Sequence, residues 1–346
     1  MLIAILANFF LFLINFFTTF KKFIKMKHFM LPFAGLLFLC YSCTNEAPYT
    51  EASSDEMTEI RAMADDSCGY AGLIQKKISS CDSLRYYYIQ LPESYDPTVS
   101  YPLLLVFHGK GSGLKNKACV WKERIGDWVD EHKFIAVYGR SYNDNHWYVD
   151  DACLTAVDEI CYVETILNEM KASHNIIEEK IYAMGTSNGA GLCYSLVREM
   201  DDFAAIATFA AYKWEGYSFA SVPKIPLMQI HGTEDGTIPY TGGTLFCLNF
   251  DNAYAACGDW ALHNNCLSPL EPTLFEIGSY DINRSSWCSK KVSPVDGPTC
   301  KKCKKEVLHY KLNGIPHTIY DSISMIPGYK ELINDHLFSF FKRHKL

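Results

Sequence analysis

The chain of 346 residues is 49% hydrophobic and 21% charged, a balance that excludes a disordered or fibrous protein and is met by one large domain. Four lysines and no acid fall in residues 1–43, so the remainder carries 28 basic against 39 acidic residues. That excess of negative charge excludes a basic surface for nucleic acid.

Two apolar runs open the chain, separated by KKFIKMKH. The first, MLIAILANFFLFLINFFTTF, is about long enough to span a bilayer. The second, FMLPFAGLLFLCYSC, is too short to span and follows a basic stretch, the layout of a secretory signal. A start at Met26 gives an ordinary signal and leaves residues 1–25 as an unused upstream extension; a membrane anchor at this end is the alternative. The ending LCYSC resembles a bacterial lipoprotein signal, in which Cys43 becomes the lipidated first residue. Residues 44–66 are polar and poor in core residues, as a tether is. The expected organisation is therefore a hydrophobic N-terminus over 1–43, a linker over 44–66 and one catalytic domain over 67–346. Both readings of the N-terminus put the protein outside the cytoplasm.

From Arg85, RYYYIQLP alternates like a half-covered strand, and LLLVFHG is a continuous apolar strand of the kind covered on both faces. A helical segment, WKERIGDWVDEHK, leads to the strand FIAVYG. VDEICYVETILNEMKASH has helical periodicity, with Ile160, Val163, Ile166 and Leu167 on one side. KIYAMG is a strand, SNGAGLCYSLVREM a helix, AAIATFAA and IPLMQIHG two further strands. EVLHYKL is the last strand and YKELINDHLFSFFKRH a closing helix. Alternating strands and helices predict an α/β fold with a mostly parallel central sheet and helices on both faces.

The stretch from about 243 to 304 breaks this rhythm. It is rich in Cys, Asn, Ser and Pro, and reads as a disulfide-stapled insertion before the last strand, over or beside the active face. Of fourteen cysteines, twelve follow residue 43, and an even set in an exported chain predicts disulfides whose pairing the sequence does not give. The competing reading of Cys300-Lys-Lys-Cys303 is a zinc ligand pair, which a lone CxxC supports weakly; the expectation is no metal.

The chemistry gathers around GTSNG, residues 185–189. Between a strand and a helix, G-x-S-x-G lifts the hydroxyl of Ser187 above the sheet edge as a nucleophile and aims the N–H of Asn188 at a developing oxyanion. Such a serine needs a histidine base oriented by a carboxylate. Asp235, in HGTEDGTIPY directly after a late strand, suits the acid, with Glu234 adjacent as the substitute. His317, in LNGIPHTIY after the last strand, suits the base; His309 within that strand, and His336 and His344 in or after the closing helix, read as structural or surface histidines. The turn HGKGSG after LLLVF offers a second oxyanion donor from the backbone of Gly109 or Lys110, with His108 holding the loop.

Taken together, YYYIQLPESYDPTVSYPLLLVFHG, the stretch from VDEICYVETIL through GTSNGAG, FAAIATFAA, PLMQIHGTEDGTIPYTGG and GIPHT resemble the polyhydroxybutyrate depolymerase-like and feruloyl esterases of carbohydrate esterase family 1. The resemblance covers most of residues 84–243 and the C-terminal end. It implies the α/β-hydrolase fold, a Ser187, Asp235, His317 triad and hydrolysis of carboxylic esters without a cofactor. Asp158 matches an acidic position of that family and is taken as structural. The histidine stretch departs from the family's GGHxWP-like pattern, and the NDNHWYVDDACLTAVDE segment and the insertion are long. Trp147, near the expected cleft, suits stacking on a sugar or phenolic ring. Feruloyl or acetyl esters of plant polysaccharide are the favoured substrates. Polyhydroxyalkanoate depolymerase, serine peptidase on the same fold and non-catalytic surface binding protein are the alternatives. The expected partners are that ester substrate and no nucleic acid, with membrane contact only through the N-terminus.

Overall fold

The computed structural model describes residues 72–111, 117–142, 145–149, 157–245, 248–266, 268–269, 272–277, 280–288, 303–317 and 336–346. The signal, Cys43 and the linker lie outside the described residues. All described residues fall in the unit Ala52–Leu346, and no helix among them is long and apolar enough to cross a membrane.

The apolar runs form the sheet. Strands β1 (Ile74–Ser80), β2 (Ser83–Gln90), β3 (Tyr101–Phe107), β4 (Ile135–Gly139), β5 (Ile176–Thr186), β6 (Ala205–Phe209) and β7 (Leu227–Gly232) precede the insertion, and β13 (Val307–Leu312) follows it. Within the insertion lie the short β8 (Gly243–Leu245), β9 (Leu248–Phe250) and β10 (Ser268–Pro269), then β11 (Thr273–Ile277) and β12 (Tyr280–Cys288). The main sheet runs β1-β2-β4-β3-β5-β6-β7-β13-β12-β10, with β11 on β12. Strands β4, β3, β5, β6, β7 and β13 are mutually parallel; at one end β2 runs antiparallel to both β4 and β1, and at the other β12 runs antiparallel to β13. Every residue of β4, β6 and β7 is buried, as the unbroken apolar runs predict.

Helices α1 (Lys117–His132), α2 (Glu159–Ser173), α3 (Asn188–Glu199), α4 (Ala253–His263) and α5 (Ser339–Lys342) cover the sheet. Alternation along the strands divides the core in two. Leu103, Leu105 and Phe107 face α2, α3 and α4, whereas Leu104 and Val106 share a second cluster with Trp121 and Ile125 of α1 and Phe340 and Phe341 of α5. Asp158 caps α2 by accepting from the N–H of Cys161 at 2.9 Å, in keeping with a structural role.

Three elements differ from the sequence expectation. Strand β1 pairs with β2 through the two-residue turn Cys81-Asp82, both with positive φ, and a disulfide ties Cys81 to Cys161. The insertion is built into the sheet rather than laid on it: β12 pairs with β13 across five residues. Its helix α4 buries Ala253, Ala256, Cys257, Trp260 and Ala261, a helical spacing hidden by short side chains. The second disulfide joins Cys266 to Cys303, so the sulfur of Cys303 is not available to a Cys300–Cys303 zinc pair. Cys300 lies outside the described residues, as does the closing helix before His336.

Candidate active site

The sheet order reverses direction between β3 and β5, and in open α/β sheets the crevice at the carboxyl ends of such strands is where ligands bind. Ser187 follows β5 there, and His108 and Gly109 follow β3. The turn at Ser187 has φ 53° and ψ −118°, a sparsely populated backbone conformation that costs on the order of 1–3 kcal/mol. Its flanking glycines are required sterically. A Cβ on Gly185 would lie 2.2 Å from the carbonyl oxygen of Gly189, and one on Gly189 would lie 2.3 Å from that of Phe107. The serine occupies the N-cap position of α3 yet makes no capping hydrogen bond. Its hydroxyl is turned toward a histidine instead.

His317 Nε2 lies 3.0 Å from Ser187 Oγ, and His317 Nδ1 lies 2.7 Å from Asp235 Oδ2. The three predicted residues are thus in hydrogen-bond contact, on loops after β5, β7 and β13. The loops are tied to each other through the backbone. Thr233 N–H donates to the Leu312 carbonyl at 2.9 Å and Glu234 N–H to the Ile315 carbonyl at 3.1 Å. Gly314 N–H donates to Thr233 Oγ1 at 2.9 Å. A Cβ on Gly232 would meet the Ile315 carbonyl oxygen at 2.1 Å, so the absence of a side chain there lets the His317 loop settle on the Asp235 loop.

Between the two carboxylates, burial discriminates. Glu234 is exposed, whereas Asp235 is 4% exposed. Asp235 Oδ1 accepts from the N–H groups of Thr237 and Ile238 at 2.9 and 2.8 Å. Burial opposes ionisation of Asp235, but hydrogen bonds from His231 and His317 outweigh it and hold the carboxyl well below the usual range. The other histidines are engaged elsewhere. His336 Nδ1 lies 3.0 Å from the Tyr310 hydroxyl, His344 Nε2 lies 2.8 Å from Glu306 Oε1, and His309 is fully buried in β13.

The N–H of Asn188 belongs to the first turn of α3, whose amides have no acceptor within the helix and lie at its positive end. Gly109 packs against Ser187: a Cβ there would come within 3.3 Å of Ser187 Cβ. His108 is buried, with Nδ1 2.8 Å from the Gly109 carbonyl and Nε2 accepting from Ser141 N–H at 3.4 Å. The side chain of Lys110 is exposed.

Trp147 differs from its expected part. It is fully buried, with its ring edge-on to Phe107 and its indole N–H donating to the His108 carbonyl at 2.8 Å. No face of the ring is open to a substrate. The Asn188 side chain accepts from Trp147 N–H at 2.5 Å and donates to its carbonyl at 3.0 Å, so the tryptophan joins the loop after β4 to the Ser187 turn. Sequence reasoning also passed over His231, whose Nε2 lies 3.2 Å from Asp235 Oδ2. The signal was its place four residues before Asp235 at a strand end.

No family model matches the chain. It is similar to a probable feruloyl esterase C of Aspergillus clavatus, 26% identical over 167 residues, which is 46% of this chain and 57% of that protein. A probable feruloyl esterase C of Aspergillus niger is 22% identical over 255 residues, covering 71% of this chain and 86% of that one. Among solved structures, a thermostable esterase superposes with a TM-score of 0.52 at 14% identity, over 79% of this chain and 63% of the other. An acylaminoacyl peptidase gives 0.50 at 14% identity, over 79% and 41%. The chain therefore has the α/β-hydrolase fold and resembles the feruloyl esterases in sequence.

Proposed function

We propose that the protein is a serine carboxylic ester hydrolase with Ser187 as nucleophile, His317 as base and Asp235 as the carboxylate that orients it. The observation that carries this reading is the contiguous contact from Ser187 Oγ through His317 to a buried Asp235, at 3.0 and 2.7 Å. Ser187 Oγ attacks the ester carbonyl carbon while its proton passes to His317 Nε2. The N–H of Asn188 and a backbone N–H at Gly109 or Lys110 receive the oxyanion. The tetrahedral intermediate collapses as His317 returns the proton to the departing alcohol. Water then attacks the acyl-serine with His317 again as base, and the acid leaves. No cofactor enters these steps.

Feruloyl or acetyl esters of plant polysaccharide are the proposed substrates, supported by similarity to feruloyl esterases C and to a bifunctional acetylxylan esterase/xylanase of Neocallimastix patriciarum, 25% identical over 44% of this chain and 22% of that one. Export is supported by the disulfides Cys81–Cys161 and Cys266–Cys303, which persist in oxidising compartments. A lipid anchor at Cys43 is part of the same proposal.

The test is hydrolysis of methyl ferulate, acetylated xylan, short aryl esters, hydroxybutyrate oligomers and a peptide amide by the protein and by Ser187→Ala. The expected result is turnover of ferulate or acetylxylan that Ser187→Ala abolishes while folding persists. Equal ester turnover by the variant overturns the triad assignment. Cleavage of the peptide alone favours the peptidase reading, hydroxybutyrate alone the depolymerase, and no turnover by folded protein a binding role.

A further inference from the structure

Behind the acid lies a run of buried polar side chains that the proposed mechanism does not use. Parallel pairing sets His309 of β13 opposite Gln229 of β7, and His231 lies two residues further along β7 on the same face. Gln229, His231 and His309 are all fully buried. The Tyr240 hydroxyl lies 2.7 Å from His309 Nε2, and His309 Nδ1 meets Gln229 Oε1. Gln229 Nε2 lies 3.1 Å from His231 Nδ1, and His231 Nε2 lies 3.2 Å from Asp235 Oδ2.

Each donor in this run is fixed by its neighbour. The Ile238 carbonyl oxygen, 2.8 Å from His231 Nε2, accepts only, so Nε2 carries the proton, which it shares with Asp235 Oδ2 at 3.2 Å. The Gln229 amide nitrogen, which only donates, lies 3.1 Å from His231 Nδ1, so Nδ1 accepts. That orientation turns Gln229 Oε1 toward His309, whose Nδ1–H donates and whose Nε2 accepts the tyrosine proton. The Cys257 thiol, 3.7 Å from Gln229 Oε1, adds a weak donor to the same oxygen. Burial, aided by the charge of Lys311, holds His309 down to about 3, so it stays neutral and keeps one donor and one acceptor.

We propose that Tyr240, His309, Gln229 and His231 form a positioning relay that locks the Asp235 carboxylate, and through it the orientation of His317. The relay rests on the triad reading. Asp235 receives two backbone N–H groups on Oδ1, while His231 and His317 share Oδ2. Rotation of the carboxylate would break all four contacts together. None of the relay side chains touches the reacting atoms; they act through the acid.

The experiment compares kcat and KM for a soluble aryl ester in the protein and in Ser187→Ala, His231→Leu, His231→Gln and Tyr240→Phe. His231→Leu is expected to lower kcat on the order of 10- to 100-fold, the range represented by one hydrogen bond to an ionised group, with KM within about twofold. His231→Gln, which places a donor near the lost Nε2–H, recovers most of that loss, and Tyr240→Phe at the far end loses less. A folded His231→Leu with unaltered kcat overturns the relay, as does a loss that His231→Gln does not recover. Nitrogen-15 NMR of the histidine rings in the unaltered protein tests it independently of folding defects. The relay requires the proton on Nε2 of His231 and on Nδ1 of His309, and the opposite tautomer at His231 overturns it. Ser187→Ala separates the two claims: turnover that survives it defeats the triad, whereas turnover lost in Ser187→Ala but intact in His231→Leu defeats the relay alone.

Discussion

The two walls of the site are held by different physics. On the Ser187 wall, β5, Ser187 and α3, the backbone is forced into place by contact distances: Gly185 and Gly189 have no room for a side chain. On the wall of Asp235 and His317, the loops after β7 and β13 are held by hydrogen bonds between loops and by a buried carboxylate. Hard-sphere constraint acts within a few residues and leaves a local pattern in the chain. Polar cross-linking joins residues far apart, such as Asp235 and His317, and leaves only isolated residues to notice.

This contrast can be broken from either side. The largest effect is expected on the polar wall: Asp235→Asn keeps the shape but favours the wrong tautomer of His317, and kcat should fall by about 10⁴-fold. A smaller loss by a folded variant would mean that the carboxylate matters less than its burial implies. Reduction of Cys266–Cys303, which closes a separation of 37 residues, should cost about 2–4 kcal/mol, read by denaturant melts with Cys266→Ser as the control.

Acid should loosen the other end of β13, where Glu306 precedes the strand. Burial opposes ionisation of Glu306, but hydrogen bonds from His344 and Arg343 prevail and bring it from the ordinary 4.5 to about 2. Because the folded value is depressed, the stabilisation is fully present above 4.5 and is lost as pH falls toward 2. Melting temperature followed through that window should drop more steeply in the protein than in Glu306→Gln. Parallel curves would remove Glu306 from the account.

On the steric wall, Gly189→Ala drives a Cβ to 2.3 Å from a backbone oxygen, and overpacking of this kind costs about 1–3 kcal/mol. Gly236→Ala, beside Asp235 but with nothing within 4 Å, should change stability by no more than about 0.5 kcal/mol. Similar losses in both would erase the distinction between the walls.

The legibility of the molecule follows the same line. The strands LLLVF, IAVYG, IYAMG and IATF were evident because parallel strands buried on both faces are apolar throughout. The order Ser187, Asp235, His317 followed from motifs at strand ends. Strand β12, DINRSSWC after Tyr280, was not evident, because its polar residues owe their pairing to β13 rather than to their own propensity. The hairpin of β1 was hidden by its Cys81-Asp82 turn, which lacks the glycine that usually marks positive φ. Trp147 was misread because sequence proximity to a site does not say which way a ring packs. His231 and Gln229 carry no motif at all; only the register of β7 against β13 joins them to His309.

The central claim, that Ser187 is the acyl-accepting nucleophile, is tested most directly by treating the protein with an aryl phosphonate ester and locating the adduct by intact mass and peptide mapping. The account predicts one adduct, on Ser187, with loss of esterase activity in proportion to labelling and no adduct in Ser187→Ala. Labelling at another residue, or full activity in quantitatively labelled protein, would contradict it.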